Sequence, residues 1–174
     1  MDLAYPIGKC EYPEVVSPET RKQHIGELAN VGALMREAVR GLDDAQLDTP
    51  YRPGGWTVRQ VVHHFADSHM NGYIRFRLAL TEDEPTIKPY DEKKWAELKD
   101  ASTEPVDVSL RLIEALHLRW VVLFRSLPKA AFARRLRHPE LGVLRIDTYL
   151  ASYAWHCRHH VAHITGLRDR MNWK

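Results

Sequence analysis

Apolar residues recur three and four positions apart along four stretches of the chain, the spacing that places them on one face of an α-helix. In the first two stretches these positions are Ile25, Leu28, Gly32, Met35, Val39 and Leu42, then Val58, Val61, Val62, Phe65, Ala66, Tyr73, Phe76 and Leu80. In the last two they are Leu110, Ile113, Trp120, Leu123, Phe124 and Leu127, then Leu150, Tyr153, Cys157, Val161 and Ile164. Helices with one apolar face pack those faces together, so the pattern predicts an all-α fold.

Residues typical of helix starts delimit the first two helices. Helix one begins after Ser17, an N-cap hydroxyl, with Pro18 at its first helical position. Helix two begins after Thr57, which forms a capping-box pair with Gln60, and runs to about Leu80.

The ends of the last two helices are predicted in the same way. Helix three runs from about Val106 to Leu127, because Pro128 cannot continue it. Asp147 is the predicted N-cap of helix four, which continues to about Arg170.

The connections between these helices differ in length. Residues 1–16 are predicted to form an extended arm on the body, and residues 50–56 an irregular loop. The segment 81–105, with a short helix at about 91–98, is long enough to return along helix two. Helix three then starts parallel to helix two, and residues 134–146 form a small hairpin before helix four. The pattern therefore predicts a four-helix bundle with one long crossover.

Composition narrows the class of protein. The 174 residues suit a single domain over 1–174, and the net charge of +2 gives no reason to expect nucleic acid as a partner. The chain has no apolar run long enough to cross a bilayer and no signal-peptide pattern. Cys10 and Cys157 form neither a disulfide framework nor a Cys-x-x-Cys motif, and Cys157 is expected to be a small buried residue. A reduced, cytoplasmic protein without a membrane partner is expected.

Four of the ten histidines lie close together in helix four, at His156, His159, His160 and His163. Histidines four apart share a helical face, so either His156 with His160 or His159 with His163 suits one metal ion. At about 100° per residue, His160 lies near the centre of the apolar stripe and His156 on its flank. His163 lies slightly farther round and His159 nearly opposite, so periodicity favours His156 with His160 by a small margin.

A third ligand must come from another helix, and helix two offers His63, His64 and His69. His69 is closest to the apolar stripe, while His63 and His64 flank it on opposite sides, so spacing alone does not choose between them. Single histidines on apolar faces are usually hydrogen-bonded core residues, which is the alternative for His69, His117 and His24. The chain has no His-Glu-x-x-His motif, so the metalloprotease signature is absent.

The sequence predicts no catalytic base. Asp67 and Glu114 are acids of a suitable type, but nothing in their spacing places them near the histidines. Arg52, Arg59 and Arg75 suit an anionic cofactor, although surface positions or salt bridges explain them equally.

Two motifs carry a resemblance to a known family. One is Gly54-Gly-Trp-Thr-Val-Arg-Gln-Val-Val-His-His64, in which a histidine stands eight positions after a tryptophan. The other is Trp155-His156 followed by His159-His-Val-Ala-His-Ile164. With Tyr5-Pro-Ile-Gly8 and Leu47-Asp-Thr-Pro-Tyr-Arg52, they span nearly the whole chain. The chain thereby resembles the DinB/YfiT-like metalloenzyme family, and within it the YfiT branch of metal-dependent hydrolases, which includes bacillithiol S-transferase.

The resemblance implies a fold, a ligand set and a reaction. It implies a four-helix bundle in up-down-down-up order, with His64, His156 and His160 as ligands of zinc, or of nickel. It also implies a homodimer that acts on a small-molecule substrate. Three histidines leave a coordination site open, where a hydrolase activates water. The alternatives are a metal-dependent S-transferase that conjugates a thiol such as bacillithiol to electrophiles, and a non-enzymatic metal- or ligand-binding stress protein.

Overall fold

The computed structural model describes residues 2–173, and four long helices make up most of it. The long helices are α1 (Pro18–Val39), α3 (Val58–Thr81), α6 (Val106–Ser126) and α7 (Ile146–Met171). The short helices are α2 (Asp44–Leu47), α4 (Glu92–Ala96) and α5 (Lys99–Thr103), and a 3₁₀ turn covers Lys129–Ala133. Strands β1 (Arg135–His138) and β2 (Gly142–Arg145) form the antiparallel hairpin that precedes α7. None of the helices in the described part of the chain is long and apolar enough to cross a membrane.

The predicted caps of the first two helices are confirmed. The Ser17 hydroxyl accepts a hydrogen bond from the Thr20 amide at 3.0 Å, and proline occupies the first turn of α1. Thr57 and Gln60 form both bonds of the capping box, at 3.1 and 3.0 Å. These bonds satisfy amides that would otherwise lack a partner, so each helix begins at a defined residue.

The prediction that Asp147 caps α7 is wrong. The hairpin runs directly into the helix, which begins at Ile146, and Arg145 occupies the N-cap position without a side-chain bond. The Asp147 carboxylate is fully buried in the first turn, where the Arg145 guanidinium donates to it at 2.8 and 2.9 Å. Arg21 of α1 lies 3.5 Å from the same carboxylate. Asp147 therefore joins the start of α7 to α1 through ion pairs.

The long crossover brings α6 back parallel to α3. Phe76, near the end of α3, packs against Phe124, near the end of α6, with ring centroids 5.0 Å apart. The segment 82–105 therefore returns along α3, and it contains α4 and α5 in place of the single predicted helix over 91–98.

The directions of the other helices follow from three contacts near helix ends. Arg75, near the end of α3, donates to Tyr149, near the start of α7, so these two helices are antiparallel. Arg36, near the end of α1, pairs with Asp107 at the start of α6, which makes this pair antiparallel too. Arg168 near the end of α7 donates to the carbonyl of residue 38 near the end of α1, so α1 and α7 are parallel. The order is up-down-down-up, as predicted.

A close approach between α3 and α7 sets where their side chains meet. Gly72 of α3 faces the Tyr153 ring so closely that an added Cβ would lie 2.3 Å from the ring carbon Cζ. A buried aromatic core fills the bundle beyond this contact. Its largest fully buried side chains include Phe65, Phe76, Trp120 and Phe124.

The N-terminal arm, defined here as residues 2–16, lies against α7. It begins with two turns, closed by bonds from Tyr5 to the Asp2 carbonyl and from Gly8 to the Tyr5 carbonyl, so the predicted extended conformation does not hold there. The Trp155 indole donates to the Gly8 carbonyl at 3.2 Å. The arm thereby covers the part of α7 that carries the histidine cluster.

Candidate metal centre

Three histidines from two antiparallel helices meet inside the bundle. His64 comes from α3, and His156 and His160 lie one turn apart on α7. One ring nitrogen of each lies within 4.8 Å of the other two. The Nε2 atoms of His156 and His160 are 3.0 Å apart, and the His64 ring lies 5.0 Å from that of His160. The predicted ligand set is therefore brought together, although the assignment stays a prediction until metal is measured.

The chemistry of these side chains fits a divalent ion. Burial lowers the pKa of His64 to about 4, with a smaller contribution from the nearby His163. Burial first, and then the neighbouring histidines, lower the pKa values of His156 and His160 well below the ordinary value. All three rings are thus neutral at pH 7 and retain lone pairs. Zinc–nitrogen bonds of about 2.0–2.1 Å in tetrahedral geometry place ligand nitrogens about 3.3 Å apart, close to the spacing of the His156 and His160 atoms.

The loop before α3 holds the His64 ring. Tyr51 donates its backbone amide to the Trp56 carbonyl at 3.0 Å, which closes the loop beside the Thr57 cap. The Trp56 ring packs on His64 with centroids 4.4 Å apart. The His64 ring makes no hydrogen bond within residues 2–173, so stacking fixes it and its nitrogens stay available.

A row of buried histidines lies behind His156. His156 Nδ1 is 3.0 Å from His69 Nε2, and His69 Nδ1 is 2.9 Å from His117 Nε2. His117 Nδ1 is 2.8 Å from the carbonyl oxygen of Leu28 in α1. His69 and His117 are thus hydrogen-bonded core residues, one of the alternatives that their spacing left open.

A shorter row lies behind His160. His160 Nδ1 is 3.4 Å from His163 Nδ1, and His163 Nε2 is 3.2 Å from the Ala4 carbonyl of the arm. The His163 ring stacks on Tyr51 at 4.0 Å. The sequence leaves His163 unassigned, although the wheel places it only slightly farther from the apolar stripe than His156.

The helical wheel placed His159 nearly opposite the apolar stripe, yet the residue is only 7% exposed. Trp155 stacks on it at 4.1 Å, and Tyr5 of the arm lies 5.9 Å from it. The wheel missed this burial because the cover comes from Trp155 of the same helix and from the arm, and not from a neighbouring helix. His63, on the other flank of α3, bonds to Ser109 and to the Glu104 carbonyl, a structural link to the start of α6.

A cavity of about 750 Å³ opens onto the three histidines. Aromatic rings form much of its wall, and its charged side chains are balanced between two basic and two acidic residues. The wall includes Tyr5, Tyr51, Trp56, Trp155, Gln60, Arg52, Lys93, Glu92 and Glu97. The cavity is large enough for a small organic molecule.

Comparison with known proteins agrees with this geometry. Residues 27–164 match the DinB superfamily model. The chain belongs to the DinB superfamily.

Relatives within this superfamily cover the whole chain. Proteins from Bacillus mycoides and Bacillus thuringiensis, each named "putative metal-dependent hydrolase", are 54% identical over 172 residues, which is 99% of this chain and 99% of each relative. YfiT from Bacillus subtilis, described as "a probable metal-dependent hydrolase with an unusual four-helix bundle topology", is 50% identical. Its structure superposes with a TM-score of 0.97 over 100% of both chains. TT2238, a four-helix bundle protein at 21% identity and a TM-score of 0.58 over 84% of this chain and 99% of its own, shares the fold.

Three of the remaining candidates in this DinB superfamily member lie outside the histidine cavity or in salt bridges. Asp67, whose pKa is raised to about 6 by burial and by Asp100, does not line the cavity. Glu114 pairs with Arg36 at 2.7 Å between α1 and α6. Arg59 is buried between two carboxylates, as the salt-bridge alternative predicted. Those carboxylates belong to Asp44 and Asp48.

The other two candidate arginines, Arg52 and Arg75, each line a cavity. Arg52 lines the histidine cavity, where its Nε donates to the Tyr51 hydroxyl at 3.1 Å. Arg75 is buried and donates to Tyr149 and to the Lys88 carbonyl, without a carboxylate partner among residues 2–173.

Proposed function

We propose that this chain is a metal-dependent hydrolase in which His64, His156 and His160 hold a divalent ion beside the substrate cavity. The observation that carries the proposal is the convergence of three neutral ring nitrogens within 4.8 Å of one another on the wall of a 750 Å³ cavity. The names of the 54% identical relatives support the same class of reaction.

The arrangement suits catalysis more than structural metal binding. Three protein ligands leave coordination positions open, and neutral imidazoles leave the ion's double positive charge undiminished. When bound, such an ion lowers the pKa of water, the nucleophile of a hydrolase, or of a thiol, the nucleophile of an S-transferase. The aromatic wall around His64 limits the access of bulk water, which strengthens electrostatic interactions with a bound substrate.

Zinc is the proposed ion. Nitrogen ligands in threefold or fourfold arrangement suit zinc, and nickel accepts the same imidazoles. Metal analysis of protein purified without chelators distinguishes the two.

The hydrolase proposal is tested by turnover of a panel of small esters and amides with zinc-loaded protein. We expect activity that EDTA abolishes and zinc restores, and that His156→Ala removes. His138→Ala is the control, because His138 ends strand β1, does not line the histidine cavity and accepts a hydrogen bond from the Glu140 amide. Turnover that persists unchanged in His156→Ala would overturn the proposal.

The second candidate is a metal-dependent S-transferase that conjugates a thiol such as bacillithiol to an electrophile. One observation favours it: within residues 2–173, no carboxylate hydrogen-bonds to the three histidines, and this includes Glu92 and Glu97, the two acids that line their cavity. A thiol activated by a metal needs no further protein base to attack. Incubation of zinc-loaded protein with bacillithiol and monochlorobimane therefore separates the candidates. Conjugation above background without ester or amide turnover identifies the transferase, and absence of both reactions identifies a binding protein.

A further inference from the structure

Each row of histidines behind the metal centre ends at a backbone carbonyl. A carbonyl oxygen only accepts hydrogen bonds, so it fixes which nitrogen of the adjoining histidine carries the proton. A neutral imidazole has one donor and one acceptor nitrogen. In a row of neutral rings, the protonated nitrogen of one histidine therefore determines which nitrogen of the next one is protonated.

The longer row starts at Leu28. His117 Nδ1–H donates to the Leu28 carbonyl at 2.8 Å, so His117 Nε2 is an acceptor. His69 Nδ1–H donates to that acceptor at 2.9 Å, which leaves His69 Nε2 as an acceptor. His156 Nδ1–H then donates to His69 at 3.0 Å. His156 must therefore present a lone pair at Nε2.

The shorter row starts at Ala4 in the arm and gives the same result for the second ligand. His163 Nε2–H donates to the Ala4 carbonyl at 3.2 Å, so His163 Nδ1 is an acceptor. His160 Nδ1–H donates to it at 3.4 Å, which leaves the His160 Nε2 atom with a lone pair.

The two lone pairs point at one another. The Nε2 atoms of His156 and His160 are 3.0 Å apart, a distance at which one of them would ordinarily donate a hydrogen bond. With both protons held at Nδ1, neither atom can donate, and a shared cation is the group that satisfies both. The rows therefore prepare this pair of atoms for a metal ion.

We propose that His69 and His163 are positioning residues that hold His156 and His160 as Nδ1–H tautomers, so that both Nε2 atoms face the metal ion. The proposal rests on the proposed metal site but names residues outside the ligand set. It also makes the N-terminal arm part of the metal centre, because the Ala4 carbonyl terminates one of the rows.

Paired substitutions separate positioning from packing. His69→Gln keeps an acceptor oxygen where Nε2 stood, whereas His69→Leu keeps bulk without an acceptor. For His163 the acceptor is Nδ1, so His163→Asn is the conservative variant and His163→Leu the disruptive one.

The probe is Zn²⁺ alone, and the zinc affinity of each protein is measured by competition with a chromophoric chelator. Outer partners of metal-bound histidines are worth about 10–100-fold in metal affinity, so each leucine variant is expected to lose that amount. The glutamine and asparagine variants are expected to stay within about fivefold of the unchanged protein, since they restore the acceptor. Equal zinc affinity in the leucine variants and the unchanged protein would overturn the proposal, as would a failure of the unchanged protein to bind zinc.

A second measurement needs neither metal nor activity. Long-range ¹H–¹⁵N NMR of the metal-free, unchanged protein reports which ring nitrogen carries each proton. We expect protonated Nδ1 in His156 and His160, and protonated Nε2 in His163. Protonated Nε2 in either ligand would refute the positioning role, whatever reaction the protein catalyses. If the tautomers and zinc affinities agree but no ester or amide is hydrolysed, only the proposed hydrolase function fails.

Discussion

At the scale of single residues, the site depends on keeping several imidazoles neutral in an interior that excludes water. Burial is the largest cause of the lowered pKa values of His64, His117 and His163, each to about 4. A buried imidazolium without an ion-pair partner would lose its hydration, so protonation of these rings competes with folding.

This competition predicts how stability depends on pH. Each of these histidines has a pKa near 6.5 when unfolded and a lower one when folded, so its stabilising contribution is complete above pH 6.5. As the pH falls from 6.5 towards 4, the unfolded chain takes up protons that the folded chain excludes. Each group then lowers the free energy of unfolding by up to about 1.4 kcal/mol per pH unit. Asp67, whose pKa is raised to about 6, and Glu92, whose pKa burial also raises, act in the opposite direction but are fewer than the histidines with lowered pKa values.

Urea denaturation of the metal-free protein at pH 7.5 and pH 5.0 checks this expectation. We expect a clearly lower midpoint at pH 5.0. His117→Asn, which keeps a donor towards Leu28, is expected to show a smaller loss because it removes one titrating group. Equal midpoints at the two pH values would contradict the account.

Single residues also show where sequence reasoning stopped. The wheel could not choose between His63 and His64, because each flanks the apolar stripe of α3. The choice depends on the neighbour of each flank: His63 faces α6 and bonds to Ser109, while His64 faces α7. Hydrophobic periodicity describes one helix at a time and carries no information on which helix lies beside it.

At the scale of helices, the N-cap residues Ser17 and Thr57 identified the starts of α1 and α3, because a cap needs only local chemistry. Asp147 failed as a cap because the hairpin continues directly into α7 at Ile146, and its carboxylate binds Arg145, two residues before it, and Arg21 of α1. Local signals therefore predicted the starts of α1 and α3 but not that of α7, which the preceding hairpin sets.

The contact between Gly72 and Tyr153 allows a test of how closely α3 and α7 must pack. Gly72→Ala places a methyl group 2.3 Å from the tyrosine ring, and overpacking of this kind costs about 1–3 kcal/mol. Gly26→Ala is the matched control in α1, since nothing lies within 4 Å of its added Cβ, and it is expected to stabilise the protein by up to about 1 kcal/mol. Chemical denaturation measures both. A Gly72→Ala protein as stable as Gly26→Ala would mean that the helices do not approach as described.

Because His64 lies on α3 and His156 and His160 lie on α7, the separation of these helices also affects the proposed metal centre. Gly72→Ala is expected to weaken zinc binding as well as stability, while Gly26→Ala leaves the zinc affinity unchanged. Zinc titration of the two variants distinguishes a shift of the helices from a purely local loss of stability.

At the scale of the whole molecule, the proposed metal ligands come from helices separated by the long crossover and by α6. His64 and His160 are far apart in sequence, and a bound ion would join α3 to α7 only in the folded chain. Binding to the folded state alone stabilises it by mass action. The site is thus coupled to the stability of the bundle.

Thermal unfolding measures this coupling. At a free zinc concentration of 100 times the dissociation constant, the gain is about 2.7 kcal/mol, or a rise of about 5–10 °C in Tm for a chain of this size. His156→Ala is expected to show no such rise. An equal rise in both proteins would indicate that zinc binds elsewhere.

The most direct test of the central claim is the zinc content of each single variant after loading and desalting, measured by mass spectrometry of the metal. The unchanged protein is expected to hold one ion per chain, and His64→Ala, His156→Ala and His160→Ala well below one. His159→Ala is the matched control, because this histidine lines the same cavity outside the group of three. It is expected to retain its ion. Zinc content that survives all three ligand substitutions, or that disappears in His159→Ala alone, would contradict the account.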